Sequence, residues 1–167
     1  MKLRGAVIGV GYLGNFHAQK YRDLSRGIFK DKIEFIGVCD LNKLQAEKIA
    51  SEFSVQAFSD PKDLIGKVDL VSIVTITPKH YELAKMFLEN GIHVNVEKPM
   101  TVKVSEAQEL VALAKKKGMT LCVGHSERFS PAFRELRTDQ RGHDGGRHGW
   151  RRCHIEHQDN QEHSAEA

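Results

Sequence analysis

The sequence predicts an α/β fold built on a doubly wound parallel sheet, and three observations carry that expectation. Short β-rich runs alternate with segments of helical period over residues 1–136, the pattern of successive βαβ units. A glycine-rich turn follows the first of those runs directly. The composition, 40% hydrophobic and 28% charged over 167 residues, is that of one ordinary globular domain.

Taken in order, residues 3–9 read as the first strand and run into Gly9-Val10-Gly11-Tyr12-Leu13-Gly14. Leu13, Phe16, Tyr21 and Leu24 then mark a helical stripe. Residues 33–39 read as the second strand, and Ala46, Ile49, Ala50 and Phe53 follow at i, i+3, i+4 and i+7. Residues 55–58 are a weak third strand and residues 70–75 a fourth. Leu83, Ala84, Phe87 and Leu88 mark a third helix, before a fifth strand over residues 92–96. Val104, Ala107, Leu110, Val111 and Ala114 form the last stripe, on a helix over residues 105–117 that Gly118 stops. Residues 120–123 read as the sixth strand.

The formal charge is +3, with Lys and Arg interspersed among acids, which gives no basis for a nucleic-acid or membrane partner. No apolar run approaches membrane-spanning length. Residues 1–14 superficially imitate a signal peptide, but glycines interrupt the apolar run and the segment is expected to stay in the mature protein. Three cysteines are an odd, low count, and Cys39 and Cys122 lie in runs that read as buried strands. Both points favour a reducing cytoplasm.

Composition changes near residue 137. From residue 138 onward there is no Lys, Leu, Val, Phe, Met or Tyr, and five of the nine histidines fall there. Such a segment buries too little to offset its ordering entropy, so residues 137–167 are expected to be a mostly disordered tail outside a body of residues 1–136. Within it, His143, His148, Cys153, His154, His157 and His163 lack a second nearby cysteine and an apolar shell, and no metal site is expected.

The glycine turn sits between a strand and a helix, the context that gives a G-x-G-x-x-G its weight. Gly9 would permit the tight turn, Gly11 the close approach of a pyrophosphate, and Gly14 the packing of helix on strand. The bland alternative is a turn that serves packing only. Asp40 ends the second strand, where a carboxylate can accept hydrogen bonds from an adenosine ribose. It would repel a 2′-phosphate, and Leu41-Asn42-Lys43 holds no arginine to bind one, so NAD is preferred over NADP. Asp40 also suits the N-cap of the next helix. Glu97-Lys98-Pro99 follows the fifth strand, at the edge where open α/β sheets bind ligands. Its X-Pro bond is a candidate cis peptide. Lys98 could donate to a substrate hydroxyl as alkoxide character develops, or act as a base. A solvent-exposed turn is the plain alternative.

With these motifs in order, the body resembles the glucose-fructose oxidoreductase / inositol dehydrogenase (Gfo/Idh/MocA) family of NAD(P)-dependent sugar oxidoreductases. The resemblance rests on the glycine turn continuing to His17, on Cys39-Asp40, and on Thr75-Ile76-Thr77-Pro78-Lys79-His80. Glu97-Lys98-Pro99 and Val123-Gly124-His125-Ser126-Glu127-Arg128-Phe129 complete it, over roughly residues 1–136. The last stretch and the Phe16-His17-Ala18-Gln19-Lys20-Tyr21 segment look most like members that oxidise nucleotide sugars such as UDP-N-acetylglucosamine.

The resemblance implies a Rossmann domain that binds NAD at Gly9, Gly11, Tyr12, Leu13, Gly14 and Asp40. It also implies Thr75 and Thr77 near the cofactor, Glu97 and Lys98 beside the nicotinamide, and Lys98 as the catalytic-site lysine. The family usually has proline after the first threonine of the fourth-strand loop, where this chain has Ile76 and places Pro78 two residues on. His17 and His80 match the family pattern, yet residues of this kind more often pack or cap than catalyse. Family members continue into a second α/β domain that supplies substrate contacts and another acid/base. Here the polar tail follows instead, as if the reading frame had changed, so the chain alone is expected to be inactive and to self-associate through uncovered apolar surface. The functional expectation is an NAD-dependent dehydrogenase domain for a sugar or nucleotide sugar. A nucleotide-binding module or fragment without turnover is the alternative.

Overall fold

The computed structural model describes residues 2–125. The expected boundary at residue 136, the disordered tail and its histidines lie outside the described residues. Six strands, β1 (Leu3–Ile8), β2 (Ile33–Cys39), β3 (Gln56–Phe58), β4 (Leu70–Ile73), β5 (His93–Glu97) and β6 (Leu121–Gly124), form one sheet in the order β3-β2-β1-β4-β5-β6. Every neighbouring pair is parallel. The helices are α1 (Tyr12–Arg26), α2 (Lys43–Phe53), α3 (His80–Glu89) and α4 (Val104–Lys117). Between β3 and β4 there is only a 3-10 turn, Pro61–Leu64.

Alternation along β1 separates two cores, because successive strand residues point to opposite faces. Val7 joins Val38, Ala18, Tyr21, Ile49, Ala50 and Phe53 beneath α1 and α2. Ala6 and Ile8 join Val71, Ile73, Ala84, Phe87, Leu88 and Leu110 beneath α3 and α4. A sheet covered on both faces reads as nearly continuous apolar runs, which is why its strands were visible in the sequence. The sheet thus has a switch point between β1 and β4, where the chain passes from one half to the other.

Two helical stripes differ from expectation. On α1 the buried residues are Gly14, Ala18 and Tyr21, while Leu13 and Phe16 are exposed. The first turn of α1 stands at the sheet edge and packs through small residues, so its large side chains face outward. On α4 the buried residues are Leu110 and Ala114, whereas Val104 and Val111 are exposed. Half-buried Leu113 takes the inner position that Val111 was expected to hold. The α2 stripe is buried as expected. Cys39 is buried but Cys122 is exposed. Leu121 and Val123 pack toward the α3–α4 core, and alternation turns Cys122 away from it. The fourth strand ends at Ile73, where its pairing with Ile8 runs out, and not at Thr75.

The β1–β4 pair is pinned at its start by Arg4. Its Nε and Nη2 donate to Asp69 Oδ2 and Oδ1 at 3.0 and 2.7 Å, and its backbone N–H donates to Oδ2 at 2.8 Å. The guanidinium hydrogen bonds hold the Asp69 carboxyl below its usual range. A depressed carboxyl contributes stability that is present above the unfolded-state pKa of about 3.9 and is lost as pH falls through the folded value. Asp69→Asn is therefore expected to lower the melting temperature at neutral pH and to flatten the acid limb of the stability profile. Calorimetry from neutral to acid pH measures both, and a variant with an unchanged acid limb would contradict the assignment.

Candidate functional site

The carboxyl ends of β1, β2, β4 and β5 lie along one sheet edge, and each carries one of the motifs. At the end of β1 the chain turns at Gly9, with φ +83°. A Cβ there would stand 2.6 Å from the Val74 carbonyl oxygen, so only glycine fits between β1 and the segment leaving β4. At Gly14 a Cβ would overlap the carbonyl oxygen of Gly9, and its absence lets α1 start directly over the strand end. At Gly11 nothing lies within 4 Å of where a Cβ would stand. Gly11 is the N-cap of α1, without a side-chain cap or an acid in the first turn, which leaves the positive end of the helix turned toward open space. Tyr12 and Leu13 flank that space and are exposed, with Phe16 edge-on to Tyr12 at 5.3 Å between ring centroids.

Asp40 is half-buried beside the turn. Its Oδ2 accepts the Val10 N–H at 2.8 Å and its Oδ1 accepts the Asn42 N–H at 2.9 Å. An ionised carboxylate has about four lone-pair sites, so each oxygen keeps acceptor capacity for a ligand hydroxyl. The N-cap of α2 is Asn42, which accepts the Gln45 N–H at 3.3 Å, and Asp40 does not fill that role. Gln45 Nε2 also donates to the Val10 carbonyl at 2.9 Å, so both backbone polar groups of Val10 are held from the β2–α2 side. Neighbouring Cys39 is pushed up to about 12 by burial and by Asp40, Asp60 and Asp63, which keeps it a thiol.

After β4, Thr75 and Thr77 are half-buried on either side of exposed Ile76. Pro78 belongs to a 3-10 turn, Thr77–Lys79, that leads straight into α3. The shift of proline relative to the family pattern is thus taken up as a helical lead-in.

After β5, Lys98 is exposed and the Lys98–Pro99 peptide is cis. Glu97 is buried, with Oε1 3.1 Å from His17 Nε2 and Oε2 accepting the Lys98 N–H at 3.2 Å. A Cβ on Gly124 would stand 2.5 Å from Glu97 Oε1, so the bare glycine gives the carboxylate its room. His80 is 1% exposed. Its Nε2 lies 2.9 Å from the Thr75 carbonyl oxygen and its Nδ1 2.9 Å from that of Pro99. The tautomer decides which carbonyl receives the N–H of a neutral ring.

All ten sequence-predicted site residues therefore fall at this edge, in two groups: the glycine turn with Asp40, and the Thr75–Thr77 and Glu97–Lys98 loops. Gln45 and Gly124 carry no site signal of their own in the sequence, where His17 and His80 read as packing or capping residues. The usable signal was adjacency, since each lies within a few residues of an edge loop.

The family model described as "Oxidoreductase family, NAD-binding Rossmann fold" matches residues 3–125. The chain is 39% identical over 135 residues to UDP-N-acetylglucosamine 3-dehydrogenase of Acidithiobacillus ferrooxidans, covering 81% of this chain and 41% of that protein. It is 32% identical over 139 residues to the NAD(+)-dependent scyllo-inositol 2-dehydrogenase of Bacillus subtilis, covering 81% and 39%. A solved structure of the Acidithiobacillus enzyme superposes with a TM-score of 0.75 at 37% identity, over 83% of this chain and 43% of that one. The chain thus spans about two fifths of the length of these relatives.

Proposed function

This chain belongs to the glucose-fructose oxidoreductase / inositol dehydrogenase family of NAD-binding Rossmann oxidoreductases, and on that premise we propose that its body is the coenzyme half of an NAD-dependent dehydrogenase for a sugar or nucleotide sugar. The observation that carries the proposal is the pairing of open space at Gly11 with a half-buried, anchored carboxylate at Asp40. These fit a dinucleotide: backbone N–H groups for its pyrophosphate, and an acceptor for a ribose diol.

Bound there, the nicotinamide supplies a hydride acceptor for a sugar carbinol carbon. The chain's own residues bind, orient and stabilise. The amides of Gly11, Tyr12 and Leu13 would face phosphate, and Asp40 would accept from the ribose. Thr75 and Thr77 would line the neighbouring loop. Lys98, exposed at the end of β5, would donate to the sugar hydroxyl oxygen and stabilise alkoxide character as the carbon is oxidised, the hydroxyl proton leaving to a base of the substrate half. The nucleotide-sugar class is supported by the 39% identity to an enzyme that takes UDP-N-acetylglucosamine. We place the protein in a reducing cytoplasm, in keeping with two free cysteines among the described residues. No helix among the described residues is long and apolar enough to cross a membrane.

NAD is the expected coenzyme, because a 2′-phosphate would meet the Asp40 carboxylate and no arginine stands at positions 41–43. Calorimetric titration of the chain is expected to give NAD at least about tenfold tighter than NADP, roughly 1.4 kcal/mol. Asp40→Ala should shrink that ratio toward one. NADP binding as tight as NAD would remove Asp40 from the ribose role.

A further inference from the structure

We propose that His17 and His80 bracket Lys98, gripping the residues on either side of it from opposite faces of the sheet and so fixing the backbone from which its ammonium group reaches. The proposal rests on the dehydrogenase reading above and names residues that position its reactive end.

A lysine ends in a point charge on a flexible four-carbon stem. Lys98 is exposed, and its own side chain has no hydrogen-bond partner among the described residues. Its reach is therefore set by the backbone that carries it. On the near side, that backbone is tied to Glu97, whose carboxylate accepts the Lys98 N–H at 3.2 Å while facing His17 Nε2 at 3.1 Å. His17 comes from α1, on one face of the sheet, and Gly124 of β6 leaves the carboxylate its space. On the far side, the Pro99 carbonyl oxygen lies 2.9 Å from His80 Nδ1. His80 opens α3, which packs on the other face.

The second nitrogen of His80 adds a link that simple packing would not need. It lies 2.9 Å from the Thr75 carbonyl oxygen, and because carbonyl oxygens only accept, a ring with N–H on both nitrogens donates to both and so joins the loop after β4 to the loop after β5. The first is the loop proposed to lie near the cofactor, the second the one proposed to lie beside the nicotinamide. The ring is 1% exposed, so water cannot replace either contact, and a buried polar group left without a partner is costly. Removing His80 would let the two loops drift apart, and removing His17 would leave the Glu97 carboxylate free to turn away from the Lys98 amide. Supporting contacts of this kind set how closely a functional group keeps its place.

The test uses the full chain, with His17→Phe and His80→Phe, which keep a ring but delete its nitrogens. Two readouts are combined: amide hydrogen exchange at Lys98, and affinity for NAD compared with ADP-ribose, which lacks the nicotinamide. In His17→Phe the Lys98 amide is expected to exchange at least about tenfold faster. In both variants NAD should weaken about tenfold while ADP-ribose stays within about twofold. If either phenylalanine variant does not fold, His17→Gln and His80→Gln retain one donor nitrogen and should show the same selective loss, smaller in size. Parallel loss of NAD and ADP-ribose, or unchanged NAD affinity, would overturn the bracket and leave both histidines with a packing role. A wild-type chain that binds neither ligand would instead overturn the coenzyme reading, and Lys98 exchange in His17→Phe would then decide the bracket alone.

Discussion

Replacing Gly14 by alanine is expected to destabilise the protein by about 3 kcal/mol, the upper end of ordinary overpacking costs, and to abolish dinucleotide binding. The new Cβ would overlap the backbone carbonyl oxygen of Gly9, which is not the yielding tip of a side chain. Gly9 is itself tied into the sheet, its N–H donating to the Cys39 carbonyl oxygen at 2.8 Å. Relief therefore requires α1 to lift from β1, which separates the glycine turn from the helix end that follows it. At about 4 °C per kcal/mol for a domain of this size, calorimetry should show a fall of roughly 12 °C. Gly11→Ala separates the two effects. Nothing lies within 4 Å of that Cβ, so only the poorer N-cap propensity of alanine is felt, and the melting temperature should fall by about 4 °C at most while the methyl group occupies the approach expected for the pyrophosphate. A Gly14→Ala protein with wild-type stability would refute the close packing, and a Gly11→Ala protein with wild-type NAD affinity would refute the approach.

Phe87→Ala is expected to have the second large effect, a loss of about 3 to 5 kcal/mol. Phe87 is 0% exposed and sits in the core beneath α3 and α4. Its removal leaves a cavity between strands and helices that are pinned by parallel pairing and cannot close over it fully. Chemical denaturation should show a lower midpoint with an unchanged slope. Because Phe87 anchors the helix that begins at His80, NAD affinity should also fall in the folded variant, and Phe87→Leu should recover part of both losses. A loss under about 1 kcal/mol would mean that this face of α3 contributes little to the core.

The sheet was legible because a strand covered on both faces has to be apolar at consecutive positions, and residues 5–8 and 35–39 show this directly. The α2 stripe was legible because Ala46, Ile49, Ala50 and Phe53 all face one core. The stripes on α1 and α4 were only half legible. Hydrophobicity alone does not say that Leu13 and Phe16 stand exposed at the carboxyl edge of the sheet, or that Leu110 and Leu113 outrank Val104 and Val111. At the site, the glycines and Asp40 were readable because backbone geometry and charge restrict those positions to few residue types. The histidines were not, since their partners are backbone carbonyls and a carboxylate brought in by the fold from Thr75, Pro99 and Glu97. No local pattern encodes a contact that spans 80 residues of chain, as His17 to Glu97 does.

The two hydrogen bonds that Asp40 accepts bear on any attempt to redesign coenzyme preference. Replacing that carboxylate with a small neutral residue would remove a repulsive charge, but it would also strip the Val10 amide of its acceptor and loosen the Asn42 amide at the entrance to α2. A variant chosen only to admit a 2′-phosphate would therefore weaken the grip on both coenzymes at once. Asparagine or serine keeps an acceptor oxygen at position 40 and separates the electrostatic change from the loss of scaffolding. An arginine introduced nearby could then supply the missing affinity without having to repair the loop as well.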